Sequence, residues 1–450
     1  MNYSKGNTLT GWFVFCVALV TYYLTVEPTA SYWDCSEYIA TAAKLQVGHP
    51  PGAPLFQMMG AFFSSFASSP ERVAFWVNMM SVLASAFTIL FLFWSLTRII
   101  TRFILKDTSP SGIQAILVLG ASVVGALSYT FSDSFWYNAV EAEVYAMAML
   151  ITSAMFWLGL RWEEDMLKPR GDRWLVLIAF LIGLSFGVHF MGLLTVPAIG
   201  MLFYFKHYPF SWKSFVVANV VSVAILLFIF KLLLPLTLAY FGNAEVFFVN
   251  SFGLPFNSGT IIAGLSILAF FIWGLRFTQQ KKWVQANTGL WCVVFILVGF
   301  SSWIMLPIRA NANTVINENA PTDARALLAY YNLEQYPETH LFYGPMYTDM
   351  YAGQDEDNPY KDDKPKYEKD YKKGRYVVVN AWEDARINAN SKHTGLLPRM
   401  WSSGNAVNYI TYFGAPNFDI KPEYSTQTQL IDAINDFISR VNNGEVDANG

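Results

Sequence analysis

Long apolar runs separated by short polar stretches set the pattern of this chain as far as Pro307. They fall at about 10–26, 73–96, 113–131, 144–160, 174–189, 191–205, 215–240, 260–277 and 290–307. About twenty apolar residues cross the hydrocarbon of a bilayer as a helix, so the pattern predicts nine spans, give or take one. The first run follows a short polar start with Lys5 and has no small-residue cleavage site before Glu27, so it reads as an uncleaved first span.

The polar breaks sort by charge. Lys5, the cluster Arg98, Arg102 and Lys106, then Arg161 with Lys168, Arg170 and Arg173, Lys206 with Lys213, and Arg276 with Lys281 and Lys282 lie on alternate connections. The positive-inside tendency places all of these in the cytoplasm. The other connections, 27–72, 132–143, a turn near His189, 241–259 and everything after Pro307, are then expected on the far side.

After residue 307 the period changes and the chain turns polar. Apolar spacing predicts helices over 324–335 and 427–441, residues 376–380 read as a short strand, and the charged, proline-containing stretch 354–373 reads as a solvated loop. The expected organisation is a mainly α, polytopic membrane bundle over 1–307, with loop 27–72 beyond the membrane, followed by a small extracytoplasmic α/β portion over 308–450.

Composition supports a membrane protein: 54% of residues are hydrophobic, and the 14% charged fraction falls well below the roughly 25% of soluble domains. A net charge of −3 gives no reason to expect nucleic acid. Cys16, Cys35 and Cys292 are too scattered for a disulfide framework, no metal-type spacing is visible, and no Gly-rich phosphate loop occurs. No metal is therefore assigned, although the carboxylates described next would admit a divalent cation.

Chemistry gathers on the far-side connections. Asp34 and Glu37 are three residues apart, which on a helix puts them on one face within reach of a common proton or ligand. They read either as helix-start acids complementing the dipole or as a general base and its neighbour. His49 opens the proline-stiffened run His49-Pro50-Pro51-Gly52, which would fix a loop beside them. A second acidic connection, SDSFWYNAVEAEVY, carries Glu141, Glu143 and Tyr145. His189 lies at a break between two spans, Lys231 interrupts an apolar run, and Arg309 emerges where the last span ends. An intramembrane ionisable residue is a functional candidate by default, and a guanidinium at a bilayer edge can hold a lipid phosphate or a carboxylate of its own chain.

The segments WDCSEYIATAAKLQVGHPPGAPLF, WYNAVEAEVYAM, GLSFGVHFMGLL and LPIRANANTVINENAPTDARALLAYYNLEQY together resemble the bacterial membrane family catalogued as domain of unknown function 2723. That family is similar to the eukaryotic protein O-mannosyltransferases and to the wider GT-C class of polytopic glycosyltransferases. The first motif departs from the D-S-G-E-like form by placing Cys35-Ser36 between its two acids. The resemblance implies transfer of one sugar, retaining or inverting, from a polyprenyl-phosphate carrier to an acceptor protein on the periplasmic side of a bacterial inner membrane. Under it Asp34 and Glu37 are the catalytic acids. His49, Glu141, Glu143, Tyr145 and His189 line the substrate site, and Arg309 with Lys231 faces the lipid phosphate. It also implies that relatives continue beyond Gly450.

Two other functions fit a bundle of this kind. One is a GT-C transferase with a polysaccharide or lipid acceptor. The other is a transporter or flippase, which the absence of half-to-half similarity and the gathering of acids on one face disfavour.

Overall fold

The computed structural model describes residues 2–106, 108–336, 340, 342–351, 353–396, 406–413, 420 and 422–445. The chain divides into two compact units, Met1–Leu333 with Tyr371–Arg375, and Glu334–Asp370 with Tyr376–Gly450.

The first unit is helical. Its elements are α1 (Tyr3–Leu24), α2 (Cys35–Ala43), α3 (Pro54–Ser64), α4 (Val73–Ile99), α5 (Gly112–Thr130), α6 (Asp133–Ala139), α7 (Val144–Asp165), α8 (Arg173–Ser185), α9 (Thr195–His207), α10 (Trp212–Leu227), α11 (Leu234–Phe252), α12 (Ser258–Gln280), α13 (Val284–Phe300), α14 (Met305–Ala310) and α15 (Ala324–Tyr331). Among the described residues, eight helical segments are long and apolar enough to cross a membrane, so this is a multi-pass membrane protein. They are built around α1, α4, α5, α7, α9, the pair α10 and α11, α12, and the pair α13 and α14.

Two runs differ from the expected spans. The run 174–189 folds as α8, 13 residues and about 20 Å long, short of the roughly 30 Å hydrocarbon. The chain turns after Ser185, and the Gly187 carbonyl accepts from the amides of Leu55 and Phe56, which anchors the break. The expected single span at 215–240 is instead one continuous helical segment of 41 residues, Trp212–Phe252, with a π-helical turn at Phe228–Leu233 and Pro235 just beyond it. At 1.5 Å per residue it is about 60 Å long, twice one crossing. Most of the connection expected over 241–259 is therefore helix, and only Gly253–Asn257 turns the chain into α12.

Two apolar clusters hold the unit together. One gathers Val14, Ala18, Tyr22, Ile89 and Phe93 from α1 and α4, and the other gathers Phe56, Met155, Leu234 and Leu306 from α3, α7, α11 and α14. Helix α8 packs closely on α13. A Cβ built on Gly183 would lie 2.1 Å from the Ile296 carbonyl oxygen, and one on Gly299 would lie 2.4 Å from the Phe180 carbonyl oxygen. Small residues let membrane helices approach this closely, because lipid supplies no hydrophobic drive and close backbone packing must replace it.

Basic residues from several connections meet at the Asp165 end of α7. Glu163 holds Arg102 at 3.0 Å and Lys206 at 3.0 Å, Glu164 holds Arg161 at 2.9 Å, and Asp165 holds Lys168 at 2.8 Å and Arg173 at 3.1 Å. The acidic connections lie at the opposite, Val144 end of the same 22-residue helix.

The polar tract after residue 307 starts inside the first unit, since α15 packs on α11. Among the described residues, three two-stranded sheets follow, lying almost wholly in the second unit. β1 (Tyr343–Pro345) pairs with β6 (Thr394–Leu396), β2 (Tyr360–Lys361) with β5 (Arg386–Ile387), and β3 (Tyr367–Asp370) with β4 (Arg375–Val378). Two helices follow, α16 (Ala406–Phe413) and α17 (Thr428–Asn442). The stretch read as a solvated loop, 354–373, thus contains β2 and β3. Mixed charge hides their alternation, and pairing through the turn at Gly374 (φ +62°) creates the β3–β4 ladder.

Candidate active site at one end of the helical bundle

The chain leaves α1, passes Trp33 and enters α2 at Asp34, which occupies the N-cap position in helical backbone geometry and makes no side-chain capping bond. The helix-cap role is therefore unfilled, and the Asp34 side chain is 59% exposed. Trp33 beside it has φ +60° and is 91% exposed, and Tyr32 is 82% exposed. A bulky residue in the left-handed region costs of order 1–3 kcal/mol, which marks this turn as held by its surroundings.

One turn along α2, Glu37 faces the loop after the helix. Its Oε1 accepts the His49 backbone amide at 2.7 Å and its Oε2 meets His49 Nδ1 at 2.7 Å. His49 Nε2 lies 3.8 Å from Asp34 Oδ2. The two acids do share one partner, and it is the histidine twelve residues on from Glu37. The hydrogen bond from His49 holds the Glu37 carboxyl below its ordinary 4.5. The same bond raises His49 above 6.5 against the opposing effect of burial, with the charges of Asp34 and Glu318 adding. Gly48 leaves room for this carboxylate, because a Cβ on it would stand 2.7 Å from Glu37 Oε1 and push that side chain away from its place.

The loop is fixed from the far end of the unit. Val47 bridges Asn317 in parallel register, its amide donating to Ile316 and its carbonyl accepting from Glu318. Arg309 Nε donates to the Leu45 carbonyl at 2.5 Å and Nη2 to the Lys44 carbonyl at 3.1 Å, so the guanidinium caps the end of α2, where a cation also suits the helix dipole. Glu318 joins the cluster, its carboxyl raised by burial and by the charge of Glu37.

The second acidic connection arrives on the other side of α2. Glu141 accepts from Ser31 Oγ at 2.5 Å, and Glu143 accepts from the Cys35 thiol at 3.5 Å. Both acids are buried. Burial raises the Glu143 carboxyl above 4.5, and the charges of Asp34 and Glu141 push the same way. Burial and these acids also push the Cys35 thiol up, so it stays protonated and donates. Tyr38 stands between the two groups, buried, with its ring 5.6 Å from that of His49 and 5.2 Å from that of Phe56. Burial and the charges of Glu143, Asp34 and Glu37 raise its phenol, which keeps it neutral.

Tyr145 and His189 meet with ring centroids 5.4 Å apart. His189 Nδ1 accepts the Met191 amide at 3.2 Å as a helix cap, and burial lowers its pKa below 6.5, which favours the neutral ring. Its ring stacks on Phe190, Phe190 meets Phe230 at 5.4 Å, and Lys231 Nζ lies 4.9 Å over the Phe230 ring. Lys231 thus joins this aromatic row through Phe230 and not the acid cluster directly.

All nine residues named from the sequence lie in the first unit. Asp34, Glu37 and His49 converge, Glu141 and Glu143 flank them, Arg309 supports their helix, and Tyr145, His189 and Lys231 form a second row. Sequence reading missed Tyr38, Cys35, Ser31 and Glu318. The first three lie in or beside the motif that carries the two acids, but only the fold shows that they bridge to Glu141, Glu143 and the His49 loop. Among the described residues no group of three or more His, Cys, Asp or Glu side chains is arranged to hold a metal ion. Chemically, the arrangement offers an accessible carboxylate, an imidazole beside it whose proton is held more tightly than usual, and buried acids.

Residues 34–212 match the family described as Protein O-mannosyl-transferase TMEM260 N-terminal domain, and residues 337–437 match a family of unknown function, DUF8416. Protein O-mannosyl-transferase tmem260 of Dictyostelium discoideum is 24% identical over 220 residues, 46% of this chain and 25% of that protein. Protein O-mannosyl-transferase TMEM260 of Mus musculus is 28% identical over 172 residues, 38% of this chain and 22% of that protein. The chain spans about a quarter of the length of the curated relatives it matches. No solved structure matches it. The chain is thus similar to protein O-mannosyl-transferase-like proteins over a stretch that begins at Asp34 and includes Glu37, His49, Glu141, Glu143, Tyr145 and His189.

Proposed function

We propose that this protein is a membrane glycosyltransferase that moves a sugar, mannose or a close relative, from a polyprenyl-phosphate carrier to Ser or Thr hydroxyls of proteins on the extracytoplasmic side of a bacterial inner membrane. We group it with the bacterial family of unknown function 2723 within the GT-C class. The observation that carries the reading is Asp34: an exposed carboxylate with no capping duty, beside the paired Glu37 and His49, at the end of a membrane bundle.

In this reaction Asp34 takes the proton of the acceptor hydroxyl, whose oxygen forms a bond to the anomeric carbon. The bond between that carbon and the carrier phosphate oxygen breaks, and the phosphate leaves with the electron pair on the lipid. Arg309 and Lys231 supply positive charge for the phosphate. Glu141, Glu143, Tyr145 and His189 contact sugar and acceptor.

The test is direct. The full-length protein in lipid nanodiscs is given radiolabelled polyprenyl-phosphate mannose with peptides rich in Ser and Thr. Transfer of label to peptide hydroxyls is expected. Label passing to a glycan or lipid instead moves the acceptor class, and transport of label across liposomes without any transfer overturns the reading.

A further inference from the structure

Glu37 is the second acid of the pair, and its geometry gives it a different task from Asp34. Both of its oxygens are engaged by one residue, Oε1 by the His49 amide and Oε2 by Nδ1, each at 2.7 Å. A carboxylate gripped twice is poorly placed to attack or deprotonate a substrate, but it fixes an imidazole well. We propose that Glu37 is a positioning residue that acts through His49: it aims the His49 Nε2 at Asp34, so that the orientation of the Asp34 carboxylate depends on the charge of His49. This rests on the assignment of Asp34 as the proton acceptor.

Several features make the histidine rigid. Its loop is clamped by Tyr330, whose hydroxyl donates to the Gly48 carbonyl at 2.5 Å, and by the bridge from Val47 to Asn317. The Tyr38 ring covers one side of the imidazole. While Oε2 accepts from Nδ1, that nitrogen keeps its hydrogen, and Nε2 is the one that titrates. At 3.8 Å, Nε2 and Asp34 Oδ2 are beyond hydrogen-bond range, so they interact as charges, and the attraction exists only while Nε2 is protonated.

The groups facing His49 are Glu37, Asp34 and Tyr38 from α2 and Glu318 from the segment bridged to Val47. The three acids favour the cation. Loss of the Nε2 proton at high pH turns a lone pair toward Asp34 and releases its carboxylate. Transfer should therefore fall as pH rises through the titration of His49, above its ordinary 6.5. Neutralising Glu37 removes the largest influence that raises His49, so the fall should begin at lower pH.

The experiment uses full-length protein in nanodiscs, wild type, Glu37→Gln, His49→Gln and Asp34→Asn, with two readouts. Histidine-labelled NMR follows the titration of His49 without reference to activity, and kcat/KM for sugar transfer is measured from pH 5.5 to 9. Glu37→Gln is expected to shift both the His49 titration and the alkaline limb of the rate acidward by about one pH unit, roughly a tenfold loss at pH 8. His49→Gln should flatten the limb, and Asp34→Asn should also lower the His49 titration. A His49 titration unchanged in Glu37→Gln, or a rate lowered equally at every pH, overturns the proposal. If His49 titrates as expected in a wild-type protein that transfers no sugar, the assigned reaction fails and the coupling of the three residues stands.

Discussion

The hydroxyl of Tyr330 donates to the carbonyl oxygen of Gly48 at 2.5 Å across 282 residues of sequence. A buried tyrosine beyond the last membrane helix thereby holds the loop that carries His49, and Gly52 in that loop packs against the same ring. Tyr330→Phe leaves the Gly48 carbonyl without this partner and should destabilise the unit by about 1–2 kcal/mol. Because the lost bond lies beside His49, transfer should fall by more than the change in folded fraction explains. Thermal unfolding and kcat measured on the same preparation test this, and a loss of activity that merely tracks stability would count against the clamp.

Asp34→Asn should reduce transfer by about 10²–10⁴-fold, the range for removing a general base. It should leave thermal stability nearly unchanged, because the side chain is exposed and caps no helix. A variant that transfers at the wild-type rate removes Asp34 from the chemistry.

Arg309→Ala loses two bonds to the carbonyls that end α2 and should cost about 1.5–3 kcal/mol. Arg309→Lys keeps the charge but not the fork, so stability should stay low. If the cation also faces the donor phosphate, Lys should recover most of the donor KM lost in Ala while Ala retains most of kcat. Equal donor KM in all three proteins would confine Arg309 to its helix-capping role.

Gly299→Val places carbon where the Phe180 carbonyl oxygen and the Leu184 amide already lie, within 2.6 Å. Backbone cannot yield as a flexible side chain does, so α8 and α13 must separate, and the folded protein should be lost from detergent extracts. The control is Gly289→Ala on the same helix, where an added Cβ meets nothing within 4 Å. Equal yields for the two variants in size-exclusion chromatography would sink this account of the packing.

Glu143 carries a pH signature of opposite sense to that of Glu37, whose carboxyl is lowered. Burial raises its folded-state pKa above the ordinary 4.5, so keeping it ionised costs stability once pH exceeds that range. Glu143→Gln removes this cost and keeps an oxygen for the Cys35 thiol. The variant should therefore gain in Tm at pH 8 and gain little at pH 4.5. An equal change at both values would show that the carboxyl titrates as an exposed one does.

The membrane bundle was legible because apolar run length is local and follows from bilayer thickness. The two acids and the following histidine were legible as a motif, and the fold joins them through Glu37 and His49. The 41-residue helix was less legible, because Asn243, Glu245 and Asn250 end the apolar run near Tyr240 although the helix continues to Phe252 and turns only at Gly253. Strands β2 and β3 were hidden because their charged faces erase the period of two.

The sequence alone determined that the chain is a multi-pass helical protein with acidic connections at intervals along it, since hydropathy and charge act residue by residue. Tertiary structure decided which acids share a partner, that Arg309 spends two of its donors on a helix end, and that Glu318 and Tyr330 reach back to the loop of His49. Those relations join residues 12 to 282 positions apart, and only the packing of helices brings such distances within a hydrogen bond.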